Sequence, residues 1–237
     1  MSNLPLEIFD YITNLLNSNQ KALKQWCLVS KSHALRTQMH IFRCVHIRDP
    51  EHFNKLKNYF PDPSNSPVIH TQSLSFYCIG WFTYADIGWI KSLTNIVQLE
   101  IWLNNEHMLS GFAPFRNLSE LPTKPQTDIQ LQAISNLICS FPLLEDLHVV
   151  GFGRIAGEGR TICQPSDLPT FTGTLVLEPM AANLMFWLLK LPNYLCFRKI
   201  VWRGGGMGYN FNGVKHLVER CFDTLEDIDI ACGASAE

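Results

Sequence analysis

Apolar positions in this chain follow two different periods, and the change from one to the other divides it. In the first part they recur every three to four residues. Leu4, Ile8, Tyr11, Ile12, Leu15 and Leu16 fall on one helix face. Asn3 suits the N-cap, Pro5 the first turn, where a missing N–H costs nothing, and Glu7 the positive end of the helix. Asn17, Ser18 and Asn19 interrupt the stripe. Leu23, Trp26, Cys27 and Ser30 resume it over a second, shorter helix, and Leu35, Met39 and Phe42 make a third stripe. Cys44-Val45-His46-Ile47 reads as extended, and Asp49-Pro50 ends it. Three short helices cannot bury this much apolar surface among themselves, and a unit of about forty residues is marginal alone. Part of the face must serve the following domain or another protein.

Residues 49–67 are proline-rich, show little periodicity after Tyr59 and read as a packed connector. Beyond them the period changes. An apolar residue or Thr, two residues of any kind, an apolar one, one of any kind and another apolar one recur together. The pattern occurs at Thr71-Leu74-Phe76, Ile96-Leu99-Ile101, Leu144-Leu147-Val149, Thr172-Leu175-Leu177, Phe197-Ile200-Trp202 and Leu225-Ile228-Ile230, with a weaker copy at Phe115-Leu118. Its centres are spaced by 25, 48, 28, 25 and 28 residues, and the weak copy falls inside the long gap. The alternation is that of a strand with one buried face. Helical patterns lie between the copies, over residues 129–141, 181–191 and 211–222. The middle one is apolar nearly all round, so something must cover it. Strand then helix, in short units, predicts parallel strands on the concave face of a curved solenoid.

The opening segment resembles an F-box in its fungal, basidiomycete-type form. Leu4, Pro5, Glu7, Ile8, Ile12, Leu23, Cys27, Leu28, Val29, Ser30, Lys31, Ile41, Phe42, Val45 and Ile47 match that pattern in kind. His33 stands where the family usually has Trp. The repeat is similar to the irregular leucine-rich repeats of such proteins, notably in residues 141–147 and 223–228, although most copies lack the asparagine that usually follows the strand. The resemblance implies an α/β chain. A three-helix F-box over residues 1–48 and a connector over 49–67 would precede an irregular leucine-rich-repeat domain over 68–237. It also implies binding to a Skp1-like adaptor, and through it a cullin, by Leu4, Pro5, Ile8, Ile12, Val29 and Ser30. The chain would then be a non-catalytic subunit of a ubiquitin ligase, selecting a protein substrate for degradation. Alternatives are a repeat protein without a ligase role, or a shortened, non-functional relative. The stretch Asp229-Ile230-Ala231-Cys232-Gly233 follows a strand with no obvious capping unit and favours shortening.

Composition narrows the field. Charged residues make up 17% of the chain, below the roughly 25% usual in soluble domains, as suits a protein that buries surface in a complex. A net charge of −2 with scattered Lys and Arg gives no electrostatic case for nucleic acid or membrane. No apolar run reaches bilayer length, and Glu7 and Asp10 stand where a signal peptide would be basic. The eight cysteines form no C-x-x-C pair. They read as free, buried thiols of a reducing compartment, the cytoplasm or nucleus.

Candidate recognition residues are the strand positions between the buried ones. Ser75, Tyr77, Glu100, Trp102, His148, Val150, Val176, Glu178, Lys199, Val201, Asp227 and Asp229 point to the concave face. Of these Tyr77, Glu100, Trp102, His148, Lys199 and Asp227 are the expected substrate contacts. Residues 151–157 spell G-x-G-x-x-x-G, but the Gly-Arg and Gln-Pro that follow cannot sustain the helix a dinucleotide needs. That stretch and the glycines of 204–208 read as loops. None of the eight histidines sits at metal-ligand spacing, and no nucleophile–base motif stands out, so no catalytic residue, metal or cofactor is expected.

Overall fold

The computed structural model describes residues 5–16, 19–29, 31–77, 84–103, 134–135, 137–151, 169–178, 182–191, 195–205 and 211–233. Three helices open the chain: α1 (Leu6–Leu15), α2 (Gln20–Cys27) and α3 (Lys31–Ile41). α1 starts on Pro5, with no side-chain cap. The expected cap, Asn3, lies outside the described residues. Asn19 caps α2, its side chain accepting the Ala22 N–H at 3.0 Å. Phe9 of α1 stacks on Trp26 of α2, ring centroids 5.3 Å apart. Arg36 of α3 reaches back to Asp10 of α1 at 2.6 Å.

Seven strands follow among the described residues: β1 (Cys44–Ile47), β2 (Ser73–Tyr77), β3 (Gln98–Leu103), β4 (Asp146–Gly151), β5 (Thr174–Leu177), β6 (Lys199–Gly205) and β7 (Asp227–Gly233). They form one sheet in sequence order, every neighbouring pair parallel. The predicted repeat centres align laterally. Leu74, Leu99, Leu147, Leu175, Ile200 and Ile228 are successive ladder partners. Val45 continues the row into β1. The sheet therefore begins inside the segment that also carries the three helices.

The connections supply the other layer. α4 (Pro50–Tyr59) is capped by Asp49, whose side chain accepts the His52 N–H at 2.7 Å. The segment expected as a connector is therefore helical in its first half. Two 3-10 turns follow, and Phe53, Pro63 and Val68 are buried. α5 (Tyr84–Lys91), which the sequence pattern did not mark, packs the Trp89 ring edge-on to Phe53. Ile134, Ser135, Leu137 and Ile138 are helical and buried, within the helix expected over 129–141. α6 (Ala182–Lys190) and α7 (Phe211–Arg220) match the two other expected helices. Leu184, Met185, Trp187 and Leu188 of α6 are buried, but Phe186 is exposed, so the cover expected for this all-round apolar helix is incomplete. One core joins these helices to the sheet rows of Leu74 and Phe76 and their lateral neighbours.

A ladder of shared carbonyls joins one turn to the next. The Arg43 oxygen accepts from the N–H groups of both Gln72 and Ser73; Gln72 accepts from Val97 and Gln98, and Val97 from Glu145 and Asp146. Gly173 accepts from Arg198 and Lys199, and Arg198 from Glu226 and Asp227. Each shared carbonyl thus satisfies two backbone N–H groups at the start of the next strand. At β5 a side chain intervenes: Asp146 Oδ1 accepts the Thr174 N–H at 2.6 Å.

Several expectations change. The weak copy at Phe115-Leu118 lies outside the described residues, and β3 pairs directly with β4, so no strand of the intervening segment separates them. Gly204 and Gly205 are not loop residues: they extend β6 and pair with Cys232 and Gly233, since a ladder needs only backbone groups. Residues 152–168, holding most of the other glycine-rich stretch, are outside the described residues. In α3, Thr37 is buried while Met39, assigned to the apolar stripe, is exposed.

Candidate functional site

The side of α1 that meets its neighbours is not the apolar stripe. Phe9 and Thr13 are buried, the Thr13 hydroxyl donating to the Phe9 carbonyl at 2.9 Å. Ile8, Tyr11 and Leu15, at spacings that share one helix face, are 46%, 63% and 63% exposed. A short helix against two partners buries only part of its circumference, and here the stacked Phe9 ring occupies that part. At the end of α2, Leu28 is 86% and Val29 67% exposed. Of the predicted adaptor contacts, Pro5, Ile8 and Val29 are exposed and Ile12 is half-buried. Leu4 and Ser30 lie outside the described residues, and nothing is described of the His33 side chain. Tyr11, Leu15 and Leu28 belong with the exposed set although the contacts inferred from the family omit them. For Tyr11 and Leu15 the signal was the same three-to-four spacing that marks Ile8; Leu28 lay outside the second stripe and matched only the F-box pattern.

The second surface is the sheet face opposite the core. His46, Ser75, Glu100, His148, Val176, Val201 and Asp229 form one lateral row across all seven strands. Tyr77, Trp102 and Val150 begin the next. Four of the expected contacts come together here. Tyr77 and Trp102 stack with centroids 5.3 Å apart, and the His148 ring stands 6.3 Å from Trp102. Glu100 takes the Ser75 hydroxyl on Oε2 at 2.7 Å and faces His148 Nδ1 on Oε1 at 3.2 Å. The carboxylate stands between hydroxyl and imidazole, whereas a Ser–His–acid nucleophile has the imidazole between the other two. With Nδ1 donating to Glu100, Nε2 of a neutral ring is left to accept. That atom and the Trp102 indole N–H are buried and have no hydrogen-bond partner among the described residues.

Lys199 and Asp227 stand elsewhere on the same face, paired at 2.5 Å across β6 and β7. They belong to the row of Thr174, one row before that of His148 and two before that of Trp102. The six expected contacts therefore make two clusters. Ser75, Val150 and Val201 are buried rather than exposed, which narrows the polar area available.

Where α3 meets the sheet, a groove of about 520 Å³ borders the starts of β1, β2 and β3. Met39, His40, Arg43, His70, Gln72 and Leu143 are among its lining. Among the described residues no three His, Cys, Asp or Glu side chains could hold a metal ion. Nor is any described helix long and apolar enough to cross a membrane. Cysteine burial is mixed: Cys221 is buried, Cys27, Cys139 and Cys196 are half-buried, and Cys44 is exposed, against the expectation of buried thiols throughout. Burial pushes the Cys139 thiol up to about 12.

No family model, no curated protein and no solved structure matches the chain.

Proposed function

We propose that this chain is the substrate-recognition subunit of a Skp1–cullin–F-box ubiquitin ligase. In this reading α1 to α3 are an F-box that binds a Skp1-like adaptor, and through it a cullin. The strands and their helices are an irregular leucine-rich-repeat solenoid whose concave sheet face binds a protein substrate. The chain makes and breaks no bonds itself; it raises the local concentration of substrate near the transferring subunits. It would work where those subunits are, in the cytoplasm or nucleus.

One observation carries the adaptor half. Ile8, Tyr11, Leu15, Leu28 and Val29 are exposed on a helical unit that buries other residues for its own packing. Covering a large apolar side chain is worth about 1.5–3 kcal/mol, and exposed groups of this kind mark interaction surfaces. The in-line parallel strands, with repeat centres in lateral register, support the solenoid half. The stacked Tyr77–Trp102 pair beside Glu100 and His148 supports recognition on the sheet face.

The test is retention of purified Skp1-type adaptor by the full chain, with Ile8→Asp and Val29→Asp in parallel. Both side chains are exposed, so the variants should keep the wild-type melting temperature while losing the adaptor. A folded wild-type chain that retains no adaptor would leave only a protein-interaction module without a ligase role.

A further inference from the structure

A second cavity adjoins the groove beside α3. It holds about 370 Å³ and shares His40, Arg43, Gln72 and Val97 with the larger one. Together they make a trough along the residues where β1, β2 and β3 begin. None of its lining residues is among the adaptor or substrate contacts expected above.

The trough carries charge of one sign. Arg43, His40 and His70 line it, and among the described residues no Asp or Glu does. Arg43 donates from Nε to Gln72 Oε1 at 2.9 Å and makes no ion pair among the described residues, so its two terminal nitrogens remain available. Of the acids close by, Asp146 already accepts from Gln98 and Thr174. Glu145, whose N–H donates to the Val97 carbonyl, is exposed and lines neither cavity. His40 Nδ1 is buried with no partner among the described residues, and buried polar atoms are seldom left so.

The amide side chains in the trough are each held at one end. Gln72 accepts from Arg43, Asn95 donates to the Ile69 carbonyl at 2.8 Å, and Gln98 donates to Asp146 at 2.8 Å. The opposite ends, the Gln72 nitrogen and the Asn95 and Gln98 oxygens, have no partner among the described residues. Donors and acceptors fixed side by side in this way suit the backbone of an extended peptide. The larger cavity adds an apolar wall, Met39 and Leu143, which are 40% and 53% exposed.

We propose that this trough binds an extended segment of another protein in which an acidic residue stands next to a large apolar one. The carboxylate would meet the Arg43 guanidinium, the apolar side chain would cover Met39 and Leu143, and the amides would bond the peptide backbone. A guanidinium grips a carboxylate through paired N–H bonds, which a lysine ammonium cannot reproduce. The site stands whether or not the helical unit binds an adaptor.

The experiment is fluorescence anisotropy of the full chain with labelled peptides of about eight residues, long enough to follow the trough. One carries a Leu–Glu pair in a Gly and Ser background. The controls carry Leu–Gln, Ala–Glu or Leu–Lys instead. The Leu–Glu peptide should bind, Leu–Gln and Ala–Glu should each bind at least about tenfold more weakly, and Leu–Lys should not bind. Arg43→Gln should weaken the Leu–Glu peptide about tenfold or more and leave the Leu–Gln peptide unchanged, as a direct contact requires. Lys215→Gln makes the same charge change on exposed α7 and should leave both unchanged. Arg43 is exposed, so the variant should keep the wild-type melting temperature. Should it fail to fold, the four peptides on the wild-type chain still decide the matter. Binding of Leu–Gln or Ala–Glu as tight as that of Leu–Glu, full affinity in Arg43→Gln, an equal loss in Lys215→Gln, or no binding of Leu–Glu up to about 1 mM would each overturn the proposal. So would a dimer in sedimentation that Arg43→Gln dissolves, since the occupant would then be a second copy.

Discussion

Phe9 lies flat against Trp26, ring centroids 5.3 Å apart and planes 19° from parallel, while its chain neighbour Ile8 faces solvent. The pair fixes which side of α1 is structural. Phe9→Ala removes a fully buried ring and should cost about 3–5 kcal/mol, seen as early unfolding in a urea titration. Ile8→Asp exchanges one exposed side chain for another and should stay within about 0.5 kcal/mol of wild type. If Ile8→Asp unfolded as early as Phe9→Ala, the division of faces would be wrong.

Gly173 offers a second test, in the turn before β5. A Cβ built there would stand 2.3 Å from Asp146 Oδ1 and 3.0 Å from both the carbonyl carbon and oxygen of Glu145. The Asp146 oxygen accepts the Thr174 N–H, and the Glu145 oxygen accepts the N–H of Gly173 itself. Gly173→Ala should therefore cost about 1–3 kcal/mol, the range of overpacking, read as a lowered melting temperature. Adding Asp146→Ala should not restore stability, because the Glu145 backbone remains in the way. A double variant as stable as Asp146→Ala alone would show that the side chain was the whole obstacle.

These cases mark how far the sequence alone could be read. The six repeat copies were legible because burial on one face of a strand imposes an alternation that no helix shares, and their lateral alignment followed. A seventh copy, Phe42-Val45-Ile47, obeys the same pattern and forms β1, but it overlaps residues that the F-box resemblance also explains. In α4 the cues were present, Asp49 and Pro50 at its start and Phe53 and Leu56 three apart, yet prolines on its far side suggested a connector. Periodicity found the stripe on α1 without giving its direction, since Ile8 and Phe9 are both apolar and only packing against Trp26 decides between them. The grouping of Ser75, Glu100 and His148 was out of reach for another reason. It needs β3 beside β4 across 48 residues, and sequence spacing offered an extra strand there instead.

The thiols should separate by environment. Cys44 is exposed, whereas burial raises Cys139 from the ordinary 9.0 to about 12 and raises Cys221 as well. Thiolate is the reactive form, so iodoacetamide at pH 8 should label Cys44 in the native chain and spare Cys139 and Cys221 until denaturant is added, as peptide mass spectrometry would reveal. The same shifts link to stability. Between the unfolded and folded values the unfolded thiol has lost its proton while the folded one keeps it, so the folded state binds more protons. Stability is then complete below pH 9.0 and falls as pH rises towards about 12. Urea midpoints at pH 8 and pH 10 should differ in that direction, and Cys139→Ala should reduce the difference.

Lys57 of α4 pairs with the buried Asp86 of α5, and its ammonium also lies 4.9 Å from the centre of the Phe53 ring. The Trp89 indole N–H donates to the Phe60 carbonyl at 2.8 Å across the same junction, so charge, ring and hydrogen bond all hold α5 to the segment that follows β1. Removing one member of a buried pair strands the other and typically costs about 3–5 kcal/mol. Lys57 keeps 28% of its side chain in solvent, so Lys57→Met should cost less, about 2–3 kcal/mol, by urea unfolding. Neutralising Asp86 in the same chain removes the charge that Lys57 faced. The double variant Lys57→Met/Asp86→Asn should therefore cost less than the sum of the two single variants. Costs that simply added would mean that Lys57 and Asp86 do not stabilise one another, and the pair would then contribute nothing to the junction.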